Sequence, residues 1–314
     1  MNSAYFKIIR PVNLGIIILT MLLLRFCIVE VYLGLSGASP ALGYVDFGTL
    51  VLATVLIGAG GYIINDLYDL GTDRINKPGK VIVGNLIPVA SAWRYYAAVT
   101  LTGMAGGFYL AFRVDYVLLG FLFPAVAIML YFYSARYQKI ILAGNLMTAL
   151  MSALVILVTW LFEFFALKND PIRFVDALQQ LPVIQIIVAG YAFFAFFVSL
   201  LREIVKDAED REGDEKGGYK TFVVVYGVRA TKGLAASIHL VTMVLLGAAM
   251  ILLYREGLML VFWYVAVALL PLFGYILYQL NTAGNKKDFQ FLSNAYKLIM
   301  LAGILSMELF YISY

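Results

Sequence analysis

The sequence predicts an all-α, polytopic membrane helical bundle, with about nine transmembrane helices in two related halves. Three observations predict it. Hydrophobic residues make up 63% of the chain and charged residues 13%, whereas soluble domains carry about 25% charged residues; mean hydropathy is +0.89. Apolar runs recur at the length of about 20 residues that a bilayer crossing needs. Two charged stretches interrupt this pattern, near residues 70 and 210, and both space their aspartates in the same way.

In chain order, spans are expected at 14–34, 47–67, 93–112, 115–133, 141–162, 182–201, 233–254, 258–279 and 293–313. The first run is too long for a removable signal and lacks a small-residue cleavage site, so it reads as a retained helix. Its Arg25 and Glu30 are five residues apart, off the three-or-four spacing of helical neighbours. The lone cysteine, Cys27, excludes an internal disulfide and reads as a small buried apolar residue. The glycines at 58, 60, 61, 103, 106 and 107 lie inside apolar spans and read as close-packing positions between helices. The only histidine, His239, falls in the seventh span without partners for a zinc site, and reads as a buried hydrogen-bonded side chain. Residues 1–314 form a single membrane domain in this reading, with no soluble domain or low-complexity tract.

Orientation follows from the basic residues. With the N-terminus inside, 18 of the 23 Lys and Arg fall on the cytoplasmic side, in accord with the positive-inside rule. The net charge of +4 carries no implication of nucleic acid. The expectation is an integral protein of the cell (plasma) membrane, surrounded by membrane lipid, with its chemistry facing the cytoplasm.

That chemistry resides in residues 65–80 and 202–220. Asp66, Asp69 and Asp73 close the second span, and at 100° per residue they occupy a roughly 60° arc of a helix. Asp207, Asp210 and Asp214 repeat the spacing of three and four after the sixth span. Four spans separate the two segments, an even number, so both return to the same membrane face and are expected to line one polar cavity. The loops after spans two and six are expected to be the longest on that face. Carboxylates sharing a face repel one another and need cations. Oxygen ligands without His or Cys favour Mg²⁺ or Ca²⁺ over zinc or copper, so the metal is read as Mg²⁺ or a near relative. Each triad can hold one Mg²⁺ ion, and two ions can bridge a diphosphate whose other oxygens meet Lys and Arg. Arg74, Lys77 and Lys80 trail the first triad, and Lys216 and Lys220 the second. A diphosphate head beside a greasy bundle suits a prenyl diphosphate. A transporter is the reading from another class, but its ion sites belong nearer the bilayer midplane.

The first stretch, Asn-Asp-x-x-Asp-x-x-x-Asp from Asn65, followed by Arg74, Asn76, Lys77 and Pro78, resembles the first signature of the UbiA superfamily of intramembrane prenyltransferases. Asp207-x-x-Asp210-x-x-x-Asp214, with Gly213 before the last aspartate, resembles the second. Arg10-Pro11 with Asn13, Tyr133-Ser134 with Lys139, and Gly144-Asn145 extend the resemblance over most of the chain. It implies that the six aspartates, assisted by Asn65, are catalytic and hold Mg²⁺. It implies diphosphate contacts at Arg74, Lys77, Lys80, Arg136, Lys139, Lys206, Lys216 and Lys220. Further substrate contacts are implied at Arg10, Asn13, Tyr62, Tyr68, Tyr131, Tyr133 and Asn145, where tyrosine faces would steady a developing allyl cation. The run from Arg202-Glu203 to Asp214 is most similar to the branch that adds a geranylgeranyl group to geranylgeranylglyceryl phosphate, a lipophilic acceptor. Other branches act on an aromatic acid, a quinone precursor or haem.

Overall fold

The computed structural model describes residues 2–71, 79 and 81–314. Asp73, Arg74, Lys77 and Lys80 lie outside the described residues. The chain forms helices α1 (Asn2–Ile8), α2 (Pro11–Leu35), α3 (Tyr44–Tyr68), α4 (Val89–Arg113), α5 (Val117–Ala135) and α6 (Ala143–Lys168). They are followed by α7 (Pro171–Ala177), α8 (Leu181–Lys216), α9 (Phe222–Arg255), α10 (Met259–Thr282) and α11 (Lys286–Ser313). Among the described residues, 8 of these are long and apolar enough to cross a membrane. The remaining expected span coincides with α4. It has 25 residues, but its glycines, threonines and tyrosines dilute its hydropathy.

Contacts divide the chain into two compact units: residues 1–21, 33–138 and 158–180, and residues 22–32, 139–157 and 181–314. In the first unit α3 packs along α4 and against α5. Small residues make this approach possible. A Cβ on Gly103 would lie 3.0 Å from the Ala53 carbonyl oxygen, and one on Gly107 would lie 2.0 Å from the Phe123 ring, which is itself packed edge-on to Phe162. The connection between α2 and α3 is held by Glu163, a carboxylate only 2% exposed, which accepts the Ala41 N–H at 2.6 Å. At the far end of α3, Ile63, Ile64 and Leu67 form a cluster with Ile8 of α1, with Val83 and Ile87 in the turn that precedes α4, and with Ala92. That cluster fixes the end of α3 on which the first acidic segment begins.

The second unit is built on α8, which packs against α9 and α11. Its core joins Val198, Leu201, Ile204 and Val205 to Val223, Phe273, Leu292 and Tyr296. His239 lies in this core, with Nδ1 2.8 Å from the Tyr296 hydroxyl and Nε2 2.9 Å from the Phe273 carbonyl oxygen. The carbonyl can only accept, so Nε2 carries the proton and Nδ1 accepts from the tyrosine. Two π-helical turns, Leu24–Val29 in α2 and Val265–Leu269 in α10, interrupt the regular ladder. The second ends two residues before Pro271, whose missing N–H removes an α-helical bond.

The structure corrects the expected elements at both acidic segments. The second lies on no loop, because α8 continues unbroken to Lys216. Residues 201, 204, 205, 208 and 213 keep a buried stripe, and Lys206–Asp210, Asp207–Arg211 and Glu212–Lys216 set opposite charges four apart, so the extension is amphipathic and self-supporting. In the first segment the regular helix stops at Tyr68, and Asp69 caps it with φ −87° and ψ 4°. Of the two described aspartates expected on that helix face, Asp66 lies within α3 and Asp69 caps it.

Gly107→Ala is expected to destabilise the protein in detergent by about 1–3 kcal/mol through overpacking against Phe123. Gly48→Ala, where an added Cβ meets nothing within 4 Å, should stay within about 0.5 kcal/mol of wild type. Melting curves of both variants check the difference; equal melting points would contradict the packing role.

Candidate active site

In the first unit the end of α3 presents Asn65, Asp66 and Asp69, all half-buried. Both oxygens of Asp69 are held by amides. Asn65 Nδ2 donates to Oδ2, and Gln138 Nε2 donates to Oδ1 at 2.6 Å while also reaching the Ser134 carbonyl oxygen at 3.1 Å. Asp66 accepts from Arg10 Nη2 at 2.8 Å. The Arg10 guanidinium also lies 5.0 Å from the centre of the Tyr62 ring, one helical turn before Asp66. Arg10 adopts the left-handed backbone conformation, φ +52°, which non-glycine residues seldom occupy. It turns the chain between α1 and α2, and its carbonyl accepts the Asn13 and Leu14 N–H groups that open α2. Asn13 itself is exposed.

An aromatic group adjoins these carboxylates. The Tyr68 hydroxyl donates to the Tyr131 hydroxyl at 2.8 Å, with the rings edge-to-face at 5.7 Å. Trp93 packs edge-on against both Tyr68 and Tyr96. Tyr133 is half-buried and Arg136 exposed at the end of α5.

In the second unit Asp207, Asp210 and Asp214 follow one another on α8; Asp214 is buried and the other two half-buried. Asn145, 7% exposed in the first turn of α6, donates to Asp207 Oδ2 at 2.8 Å. After Lys216 the chain turns through Gly218, φ +72°, with the Tyr219 N–H bonded to the Asp214 carbonyl oxygen at 2.8 Å. That turn places the Tyr219 ring 5.1 Å from Lys139 Nζ, and the Lys220 N–H bonds the Lys139 carbonyl oxygen at 2.9 Å. Lys139 and Lys220 therefore share one backbone link, although 81 residues separate them. Lys206 is half-buried, and Lys216 and Lys220 are exposed.

The same device occurs in both units: a side-chain amide holds an aspartate of the acidic segment. Among the described residues no three His, Cys, Asp or Glu side chains converge into a ready-made metal cluster. The donor set is nonetheless wholly oxygen, carboxylate with neighbouring amide, which suits a hard divalent cation. Arg10 contacts Asp66 and Asn145 contacts Asp207. Gln138 was not legible as a site residue. It carries no charge, and its only signals were its place beside Lys139 and its helical spacing of four from Ser134.

Residues 16–298 match the UbiA prenyltransferase family. A digeranylgeranylglyceryl phosphate synthase of Sulfolobus acidocaldarius is 33% identical over 205 residues, which cover 62% of this chain and 66% of that protein. One of Methanosphaera stadtmanae is 25% identical over 307 residues, 97% of each chain. The match thus spans slightly less than two thirds of the first relative's length and nearly all of the second's. A solved structure concerned with digeranylgeranylglyceryl phosphate synthase in membranes superposes with a TM-score of 0.67 at 21% identity, covering 99% of both chains. A UbiA homolog from Archaeoglobus fulgidus bound to DMAPP and Mg²⁺ gives 0.58 at 18% identity, covering 96% of this chain and 98% of that one. At such identities the two structures establish a shared fold.

Proposed function

The chain belongs to the UbiA prenyltransferase family, and from that premise we propose that it transfers a geranylgeranyl group from its diphosphate to the free hydroxyl of geranylgeranylglyceryl phosphate. The curated relatives' names support this acceptor over an aromatic acid, a quinone precursor or haem, and family membership sets the transporter reading aside. The observation that carries the mechanism is the pair of amide-held aspartates, Asp69 and Asp207, each in an acidic segment at the polar end of a long apolar helix.

Asp66, Asp69 and Asp73 would hold one Mg²⁺ and Asp207, Asp210 and Asp214 a second. Bound Mg²⁺ supplies Lewis-acid neutralisation of the charge that gathers on a departing diphosphate. The protein does the rest. Asn65, Gln138 and Asn145 fix the aspartates in orientation before substrate arrives, which lowers the reorganisation that binding demands. Arg74, Lys77, Lys80, Arg136, Lys139, Lys206, Lys216 and Lys220 are the diphosphate's cationic partners. As the allylic C–O bond breaks, its electron pair leaves with the diphosphate. The faces of Tyr62, Tyr68, Tyr131 and Tyr133 offset the positive charge left on the prenyl carbon by about 0.5–2 kcal/mol per contact. The acceptor hydroxyl oxygen then forms the ether bond, and a carboxylate of the acidic segments takes its proton. The bias of Lys and Arg supports a cytoplasmic face for this chemistry in the plasma membrane.

Asp66→Ala and Asp207→Ala are each expected to abolish turnover, as is EDTA, while both variants keep a cooperative melting transition in detergent. Near-normal turnover in either would contradict the carboxylate assignment. Gln138→Ala and Asn145→Ala act differently: each should raise the Mg²⁺ concentration giving half-maximal activity by about 10–100-fold, the usual loss when a ligand's supporting hydrogen bond is removed. A titration of activity against Mg²⁺ checks this, and a lower plateau with an unchanged midpoint would argue against the orienting role.

A further inference from the structure

Two isolated cations lie away from the charged helix ends. α8 carries no charge from Leu181 to Leu201, and Arg202 is its first. α11 carries none from Phe289 to Met307 except Lys297. These two helices pack along each other, and Lys297 lies within electrostatic range of Arg202, Lys206, Glu203 and Glu209. Arg202, Lys206 and Lys297 thus gather with Glu203 and Glu209, and Lys206 also neighbours Asp207. Arg202 Nη1 engages Glu203 Oε1, but Arg202 Nε is buried without a hydrogen-bond partner. Lys297 is exposed.

Depth separates this group from the acidic segment. Arg202 precedes Asp207 by five residues and so lies about 7.5 Å further from the charged end of α8. Lys297 is eleven residues into α11, about 16 Å from its start. Arg202 directly follows the expected span 182–201 and Lys297 is the fifth residue of the span 293–313, so both sit near the membrane boundary, where cations beside an apolar bundle mark anion or substrate sites. The phosphate of a lipid lies at that boundary. A guanidinium with a spare N–H beside two ammonium groups suits a phosphate monoester.

We propose that Arg202, Lys206 and Lys297 bind the phosphate of the acceptor lipid, an inference that rests on the acceptor assigned above. The donor's diphosphate keeps the acidic segments with Lys139 and Lys220, and Lys206, adjacent to Asp207, borders both anions. The group is then a specificity determinant. An acceptor without the phosphate leaves the buried Arg202 Nε unpaired, the kind of loss by which polar sites reject analogues.

The test is direct binding to the full-length protein in detergent, followed by intrinsic fluorescence, with geranylgeranylglyceryl phosphate, its dephosphorylated alcohol and geranylgeranyl diphosphate as probes. Wild type should prefer the phosphorylated acceptor over the alcohol by about tenfold or more. Lys297→Met should lose most of that preference, Lys297→Arg should retain it, and affinity for geranylgeranyl diphosphate should be unchanged in both. Melting of each variant is recorded alongside, and Lys297→Gln replaces Lys297→Met if the latter does not fold. No preference in wild type, an undiminished preference in Lys297→Met, or a loss confined to the diphosphate probe would each overturn the proposal. A wild type that binds with the expected preference yet transfers no prenyl group would contradict the acceptor reaction and leave the phosphate site standing.

Discussion

A carboxylate at the end of, or within, an apolar helix needs donors to replace the water it has lost, and the arrangement of this chain depends on how those donors are supplied. Glu163, deep in the first unit, receives the Ala41 backbone amide and thereby fixes the α2–α3 connection. Asp69 receives two side-chain amides and Asp66 a guanidinium. Asp207 receives the amide of Asn145. Glu163 is thus reached by a backbone N–H, and Asp66, Asp69 and Asp207 each receive a side-chain donor.

Preorganisation follows from the same contacts. An amide holds a carboxylate oxygen without neutralising its charge, so in the proposed site Asn65, Gln138 and Asn145 would orient aspartates toward Mg²⁺. Arg10 works in another way. It neutralises Asp66 and spreads its own charge over the Tyr62 face, while its left-handed backbone sets the turn from which it reaches both. Such conformations cost of order 1–3 kcal/mol and persist where the surroundings over-determine them. Here the ion pair, the ring contact and the opening bonds of α2 do so.

Much of the fold was legible because bilayer crossing imposes a length and a composition. The apolar runs located the long helices, and the glycines at 103 and 107 announced the close packing of α4. His239 and the two acidic segments were also readable from residue type and spacing. Other features depend on information that a linear pattern does not carry. The π turn at Leu24–Val29 hydrogen-bonds the Glu30 N–H to the Arg25 carbonyl, five residues back, which a regular helical wheel does not anticipate. The charges between 202 and 216 mask the continuation of α8 in the linear sequence, although they pair four apart beside a buried stripe. Asp69 was expected inside a helix that in fact ends before it. Gln138 reaches Asp69 from 69 positions away, and neither its charge nor its periodicity marked it out.

In the proposed reaction the amide-held aspartates serve Mg²⁺-dependent transfer of a geranylgeranyl group to the hydroxyl of a lipid phosphate. Incubation of the purified protein with geranylgeranyl diphosphate and geranylgeranylglyceryl phosphate, with and without Mg²⁺, tests it most directly when the lipids are resolved by mass spectrometry. The account predicts a product heavier than the acceptor by one geranylgeranyl unit, formed only with the metal. An acceptor that remains unchanged with Mg²⁺ present, or a product that forms equally well in EDTA, would contradict it.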